Sequence, residues 1–157
     1  MRKIVLLIVL FVSLVDGDVF KKGKFGLGLA LGTGYSHETS YTLVGVSANY
    51  FVVDNLDIGV AYRGWLGGTP AKNEFSLSSN YYFPLSRKLR PYAGAFIRDT
   101  FVSGYDDYLS YGARGGISMV TRNSYISLGY VYEEYSRKVF GYEVSTSYPE
   151  IIFGLSF

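Results

Sequence analysis

Tyr148-Pro149-Glu150-Ile151-Ile152-Phe153-Gly154-Leu155-Ser156-Phe157 closes the sequence, and its alternation decides how the rest is read. Ile151, Phe153, Leu155 and Phe157 are apolar at every second position, while Glu150, Ile152, Gly154 and Ser156 fill the positions between. Side chains two apart on a strand share a face. The stretch therefore reads as a strand with one bulky apolar face and one face that tolerates polarity. Pro149 predicts a local break or bulge in it.

Composition agrees with strands. The 157 residues suffice for one domain. Aromatic residues make up 18%, with 16 Tyr, 11 Phe and one Trp, and Gly numbers 19, a mixture that favours β structure over helix. The absence of Cys excludes disulfides, thiolate metal sites and Cys nucleophiles. A net charge of +2 gives no strong positive field, so nucleic acid is not an expected partner.

The opening residues form a separate unit. Met1-Arg2-Lys3 is basic, Ile4 to Val12 is unbroken apolar sequence, and Ser13-Leu14-Val15-Asp16-Gly17 follows. That order is the order of a secretory signal peptide. The apolar run is far shorter than the ~20 residues a membrane-spanning helix needs. Cleavage is expected after Gly17, giving a signal peptide at 1–17, a polar periplasmic lead at 18–23 and a β domain at 24–157. Losing Arg2, Lys3 and Asp16 from 15 basic and 13 acidic residues leaves 13 and 12, a nearly neutral mature chain.

Seven further alternating stretches precede the last one. Their bulky faces include Leu27-Leu29-Leu31, Val44-Val46-Ala48-Tyr50, Ile58-Val60-Tyr62, Phe75-Leu77-Tyr81, Ala93-Ala95-Ile97, Leu109-Tyr111-Ile117-Met119 and Ile126-Leu128-Tyr130-Tyr132. None of the eight bulky faces carries Asp, Glu, Lys or Arg, whereas the opposite faces carry Asp57, Arg63, Glu74, Arg98, Arg114, Glu133 and Glu150 among Gly, Ser and Ala. A β-sandwich in water would turn its charges outward and its large apolar groups inward. The inverse suits a transmembrane barrel, with the apolar face on lipid and the small, charged face in a narrow interior. Closure also leaves no unpaired strand edge in hydrocarbon.

The connections and aromatics extend this reading. Short turns at 53–55, 84–90 and 121–124 fall on the side of both termini, and longer loops at 33–40, 65–73, 99–107 and 136–141 fall on the other. Tyr35, Tyr41, Tyr62, Trp65, Tyr111, Tyr132 and Tyr148 are expected in one interfacial girdle, and Phe25, Tyr50, Phe83 and Phe157 in the other. The lumen charges are expected to pair, Arg63, Arg98 and Arg114 with Asp57, Glu74, Glu133 and Glu150, because a lone buried charge is costly. The loop residues Tyr35, His37, Trp65, Phe101, Tyr105 and Phe140 are expected at the surface. No cofactor or metal is expected. Asp106-Asp107 falls short of a calcium shell, and Gly26-Leu27-Gly28 lacks the spacing and following helix of a phosphate loop.

On these residues, 24–157 resembles small eight-stranded bacterial outer-membrane proteins of the OmpX, OmpA-barrel and opacity-protein type. The resemblance implies an all-β antiparallel barrel in the outer membrane, both termini periplasmic, among outer-membrane lipids and lipopolysaccharide. It also implies that Phe153, Leu155 and Phe157 form the signal read by the barrel-assembly machinery. A structural or surface-interaction role is expected, with a narrow ion, water or small-solute channel as the alternative. Some small barrels modify lipid A. Here His37 is the sole His, no His-x-Ser occurs, and no base–nucleophile arrangement accompanies it, so an enzyme is not expected.

Overall fold

Alternating sequence with small residues on one face closes on itself. The computed structural model describes residues 18–36, 39–139 and 143–157. It forms one closed antiparallel barrel of eight strands in sequential order. They are β1 (Phe25–Ser36), β2 (Thr39–Val53), β3 (Leu56–Leu66), β4 (Lys72–Tyr82), β5 (Leu89–Val102), β6 (Tyr108–Val120), β7 (Ser124–Val139) and β8 (Glu143–Ser156). The seam joins β1 to β8 from Gly26–Ser156 to Gly32–Glu150. Beyond it, Phe25 and Phe157 exchange both backbone hydrogen bonds.

Side-chain parity is that of the sequence. Leu27, Val46, Ile58 and Leu128 stand outward with 54%, 58%, 47% and 50% of their surface exposed, whereas Arg98 is 1% exposed. The exterior is a continuous apolar wall, and the polar groups lie within. An eight-stranded barrel has an interior just wide enough to be filled by its own side chains. Glycines on the inner face make the room. A Cβ on Gly154 would collide with the Tyr125 ring, and one on Gly34 would meet the Trp65 ring at 2.6 Å.

Several boundaries move. The strands run further than their apolar faces, so the connections shrink to 67–71 and 103–107 on one side against 54–55, 83–88 and 121–123 on the other. The expected contrast between long loops and short turns is therefore not what the described residues show. The ladders instead continue upward through polar pairs such as Tyr35–Ser40 and Glu134–Ser145. In these extensions Asp99 takes an outward position beside Phe75 and Leu109, so the outer surface is not free of charge over the full strand length. Pro149 causes no bulge. Strand β8 runs through it, paired with Tyr130, and the register shift lies between Glu134 and Val139. Pairing with β1 stops at Glu150, next to the proline that has no N–H to offer.

Residues 18–23 do not trail from the barrel. Val19 and Phe20 are buried in its terminus-side mouth, with Phe20 stacked on Tyr82 at 4.0 Å and packed against Tyr125 and Phe51. Ser156 Oγ donates to the Val19 carbonyl at 2.8 Å, and the Asn55 N–H to the Phe20 carbonyl at 2.7 Å. Asn55 holds the tight β2–β3 turn at a φ of 68°, a conformation Asn tolerates. The lead looks polar because Asp18, Lys21 and Lys22 flank two residues that serve as a stopper.

The apolar wall makes a direct prediction. Leu77→Arg places a cation in mid-wall and is expected to cost about 2–4 kcal/mol of folding free energy in phospholipid vesicles. Leu85→Arg, in the exposed 83–88 connection, is expected to cost about 1 kcal/mol or less. Reversible denaturant unfolding of both variants checks the difference.

Candidate functional site: the charged lumen

The inward faces of β3 to β8 bring six of the seven anticipated charges into ion pairs. Arg98 is central. Its Nε lies 3.4 Å from Glu74 Oε2, and its Nη1 pairs with Glu133. The same guanidinium donates to Ser76 Oγ at 3.0 Å and to the Tyr148 hydroxyl at 2.8 Å. Arg63 reaches Glu150 Oε2 at 3.0 Å and the Tyr148 hydroxyl at 3.0 Å. Arg114 lies 3.5 Å from Glu150 Oε1 and donates from Nε to Asn80 Oδ1 at 2.8 Å. Two arginines thus share Glu150, two arginines share Tyr148, and Arg98 holds two carboxylates.

Asp57 departs from the expected pairing. Among the described residues no arginine forms an ion pair with it. It accepts from Asn49 Nδ2 at 2.8 Å, from Asn80 Nδ2 at 2.8 Å, from the Asn80 backbone N–H at 3.0 Å and from the Tyr82 hydroxyl at 3.4 Å. Asn80 then links it to Arg114. Neutral amides satisfy this carboxylate in place of a guanidinium, and its charge is spread over several short dipoles.

Three members of the network are ones the sequence places in a loop or at an interface. Trp65 is not a surface-loop residue. It is inward and buried on β3, donating from Nε1 to Glu74 Oε1 at 2.6 Å. Lys72 is buried beside it, 3.6 Å from the same carboxylate oxygen and 3.7 Å from the Trp65 ring centroid. Tyr148 belongs to no girdle; like Tyr41, it is inward and buried. Parity already held the signal. Trp65 follows Arg63 by two, Lys72 precedes Glu74 by two and Tyr148 precedes Glu150 by two. Placing 65–73 in a loop broke the count for the first two.

The remaining surface positions divide. Phe101 lies on β5 rather than in a loop and stands outward on the wall. Tyr105 is exposed in the 103–107 connection. Tyr35 falls within β1, while His37 and Phe140 lie outside the described residues. Tyr62, Tyr111 and Tyr132, and at the other rim Phe25, Tyr50 and Phe83, are outward as a girdle requires. Phe153, Leu155 and Phe157 occupy the outer wall beside β1, with Phe153 the most exposed of the three.

Along the axis the lumen is closed by layers. Val19, Phe20, Phe51, Tyr82, Tyr92 and Tyr125 fill the terminus side. Arg90 clamps this layer from the rim, 2.6 Å from Asp18 Oδ2 and 2.6 Å from Asn55 Oδ1. The charged network is interleaved with a second apolar cluster of Tyr41, Leu43, Trp65, Phe96, Val131 and Tyr148, and Val102, Tyr108 and Tyr135 pack together on the inner face. Between the stopper and the arginines a cavity of about 40 Å³ remains, bordered by Asn49, Asp57, Ser78, Asn80 and Arg114. Part of its lining is polar, and it has room for a few waters at most. The arrangement can hold charge rigidly and bind a little water.

Fold and lumen together define a class of architecture, the closed eight-stranded barrel with an apolar wall and a charged interior, which resembles the small outer-membrane barrels. No family model and no curated protein matches the chain. Solved structures do. The N-terminal β-barrel domain of Pseudomonas aeruginosa OprF aligns with a TM-score of 0.61 at 19% identity, covering 87% of this chain and 98% of that one. Neisserial surface protein A (NspA) aligns with a TM-score of 0.62 at 21% identity, covering 85% and 94%. The outer-membrane protein OprG from Pseudomonas aeruginosa aligns with a TM-score of 0.58 at 14% identity, covering 90% and 99%. At these identities the likeness is one of fold.

Substitutions in the charged network and in the stopper test the packing of the lumen. Arg98→Ala leaves Glu133 without its ion-pair partner and Glu74 with Lys72 alone, and is expected to destabilise the barrel by about 3–5 kcal/mol. Adding Glu133→Gln to it should recover part of that loss, because the carboxylate that loses its ion-pair partner is then neutral, while Glu74 keeps Lys72. Phe20→Ala is expected to cost about 3 kcal/mol or more through the cavity it leaves. Denaturant midpoints in one detergent or lipid system order the variants.

Proposed function

We propose that the chain is an integral protein of the bacterial outer membrane with a structural or surface-interaction role, its lumen sealed by ion pairs and not used for transport. The observation that carries this reading is the inversion of polarity. The outer wall exposes Leu, Ile, Val, Phe and Tyr over all eight strands, while Arg63, Arg98, Glu74, Glu133 and Glu150 are buried inside. Only a surrounding hydrocarbon phase makes such a wall stable, and only a closed barrel crosses that phase without unpaired backbone.

In this reading residues 1–17 are a signal peptide removed after Gly17. The mature chain then begins at Asp18, beside the Arg90 side chain that pairs with it. The stopper supports cleavage at this point, since cleavage further along would remove residues that fill the mouth. Both ends of the barrel chain face the periplasm, and the 67–71 and 103–107 connections face outward. Phe153, Leu155 and Phe157 present the assembly signal on the outer wall, within reach of the barrel-assembly machinery. Tyr105 and the polar strand extensions form the surface that meets lipopolysaccharide or a partner. The channel alternative is disfavoured by the stacked layers across the lumen. No reaction is assigned.

Export and topology are tested together in cells. A cysteine at Tyr105 should react with a membrane-impermeant maleimide on intact cells, and a cysteine at Ser86 should react only after the envelope is opened. The reverse pattern overturns the orientation. The sealed lumen is tested in planar bilayers, where the folded protein should be electrically silent. A steady conductance that changes in Arg114→Ala would install the channel reading instead.

A further inference from the structure

Most cations outside the lumen gather at one end. At the terminus-side rim, Lys21, Lys22, Lys24, Arg87, Lys88 and Arg122 lie around the barrel mouth, all but Lys24 exposed and Lys24 half-buried. The acidic residues of that rim are two: Asp18, which is paired with Arg90, and Asp54, which accepts from the Lys22 backbone N–H. The opposite end carries Asp99, Asp106, Asp107 and Glu134, with Arg137 and Lys138 near the end of β7. The lumen charges balance, since Arg63, Lys72, Arg98 and Arg114 face Asp57, Glu74, Glu133 and Glu150. A nearly neutral chain thus carries a positive collar at one mouth.

Beside that collar lies an apolar groove of about 490 Å³ on the outer wall. It crosses the β1–β8 seam, bordered by Leu27, Leu29, Val46, Ile126, Phe153 and Leu155, with Ser124 at its end. The collar and the groove are contiguous in the chain. Lys24 precedes Phe25, the residue whose backbone closes on Phe157, and Arg122 sits in the turn leading into Ser124. Cations at the headgroup level above an apolar trough fit one kind of molecule, an amphiphile with an anionic head and hydrocarbon tails.

We propose that the terminus-side rim is a docking surface for anionic phospholipid, with the headgroup held by the Lys24–Arg122 part of the collar and an acyl chain lying across the β1–β8 seam. The choice of phospholipid over lipopolysaccharide rests on the orientation proposed above, which places this rim in the inner leaflet. Each Lys or Arg near an anionic surface favours association by about fivefold at low salt. The attraction fades as salt shortens the screening length to a few ångströms.

The full-length mature chain, folded into phosphatidylcholine bilayers, tests this with spin-labelled lipids whose motionally restricted fraction reports binding at the barrel wall. Spin-labelled phosphatidylglycerol should be selected over spin-labelled phosphatidylcholine. The Lys24→Gln/Arg122→Gln variant should lower that selectivity by about fivefold per charge removed. High salt should abolish the selectivity in the unaltered protein, a readout that needs no variant to fold. Equal restriction of the two lipids, a selectivity that survives high salt, or one unchanged in the double variant overturns the proposal. Stronger selection of lipopolysaccharide than of phosphatidylglycerol at the same two residues also overturns it. Failure of the chain to insert into bilayers at all is a separate result. It sinks the outer-membrane reading, whereas an inserted barrel without lipid preference sinks this inference alone.

Discussion

Arg98 holding Glu74 and Glu133 is the interaction on which the interior depends. A guanidinium and two carboxylates removed from water are unfavourable unless each finds its partner in good geometry. Arg98 meets that condition with both carboxylates, a serine and a phenol. The surrounding choices follow from it. Small inward residues leave room for long side chains from facing strands. Tyr148 lies between Arg98 and Arg63, accepting from both, so that two like charges share a neutral oxygen. Trp65 and Lys72 complete the shell of Glu74 from above. The network spans β3 to β8 and ties together strands that are not neighbours in the sheet.

The exterior obeys the opposite rule. Apolar atoms on a monomer in water rarely form patches beyond a few hundred square ångströms, yet this wall runs around the whole barrel. The two surfaces are one fact seen from two sides, because alternation along a strand cannot place a residue on one face without placing its neighbour on the other. Asp99 marks where the rule relaxes: it stands outward near the end of β5, as Glu134 does on β7.

Face and fold were legible in the sequence because period-two alternation needs no knowledge of contacts. Arg98 and Glu133 could be placed inside from parity alone, and so could Leu27 and Leu128 outside. Partners were harder. Asp57 meets amides rather than an arginine because register, not face, decides which side chains reach one another. Strand ends were harder still. Trp65 and Tyr148 were assigned to an interface because aromatic residues near a strand end suit headgroups and lumens equally well, and only the length of the ladder separates the two. The burial of Val19 and Phe20 had no periodic signal, since two residues make no pattern.

That stopper has a consequence for the order of events. Its seat is assembled from β2, β4, β5, β7 and β8, through Phe51, Tyr82, Tyr92, Tyr125 and Ser156. Until the last strand has zipped to the first, the seat does not exist. The residues that come ahead of every strand are therefore the final ones to settle, and the barrel corks itself only once it is whole.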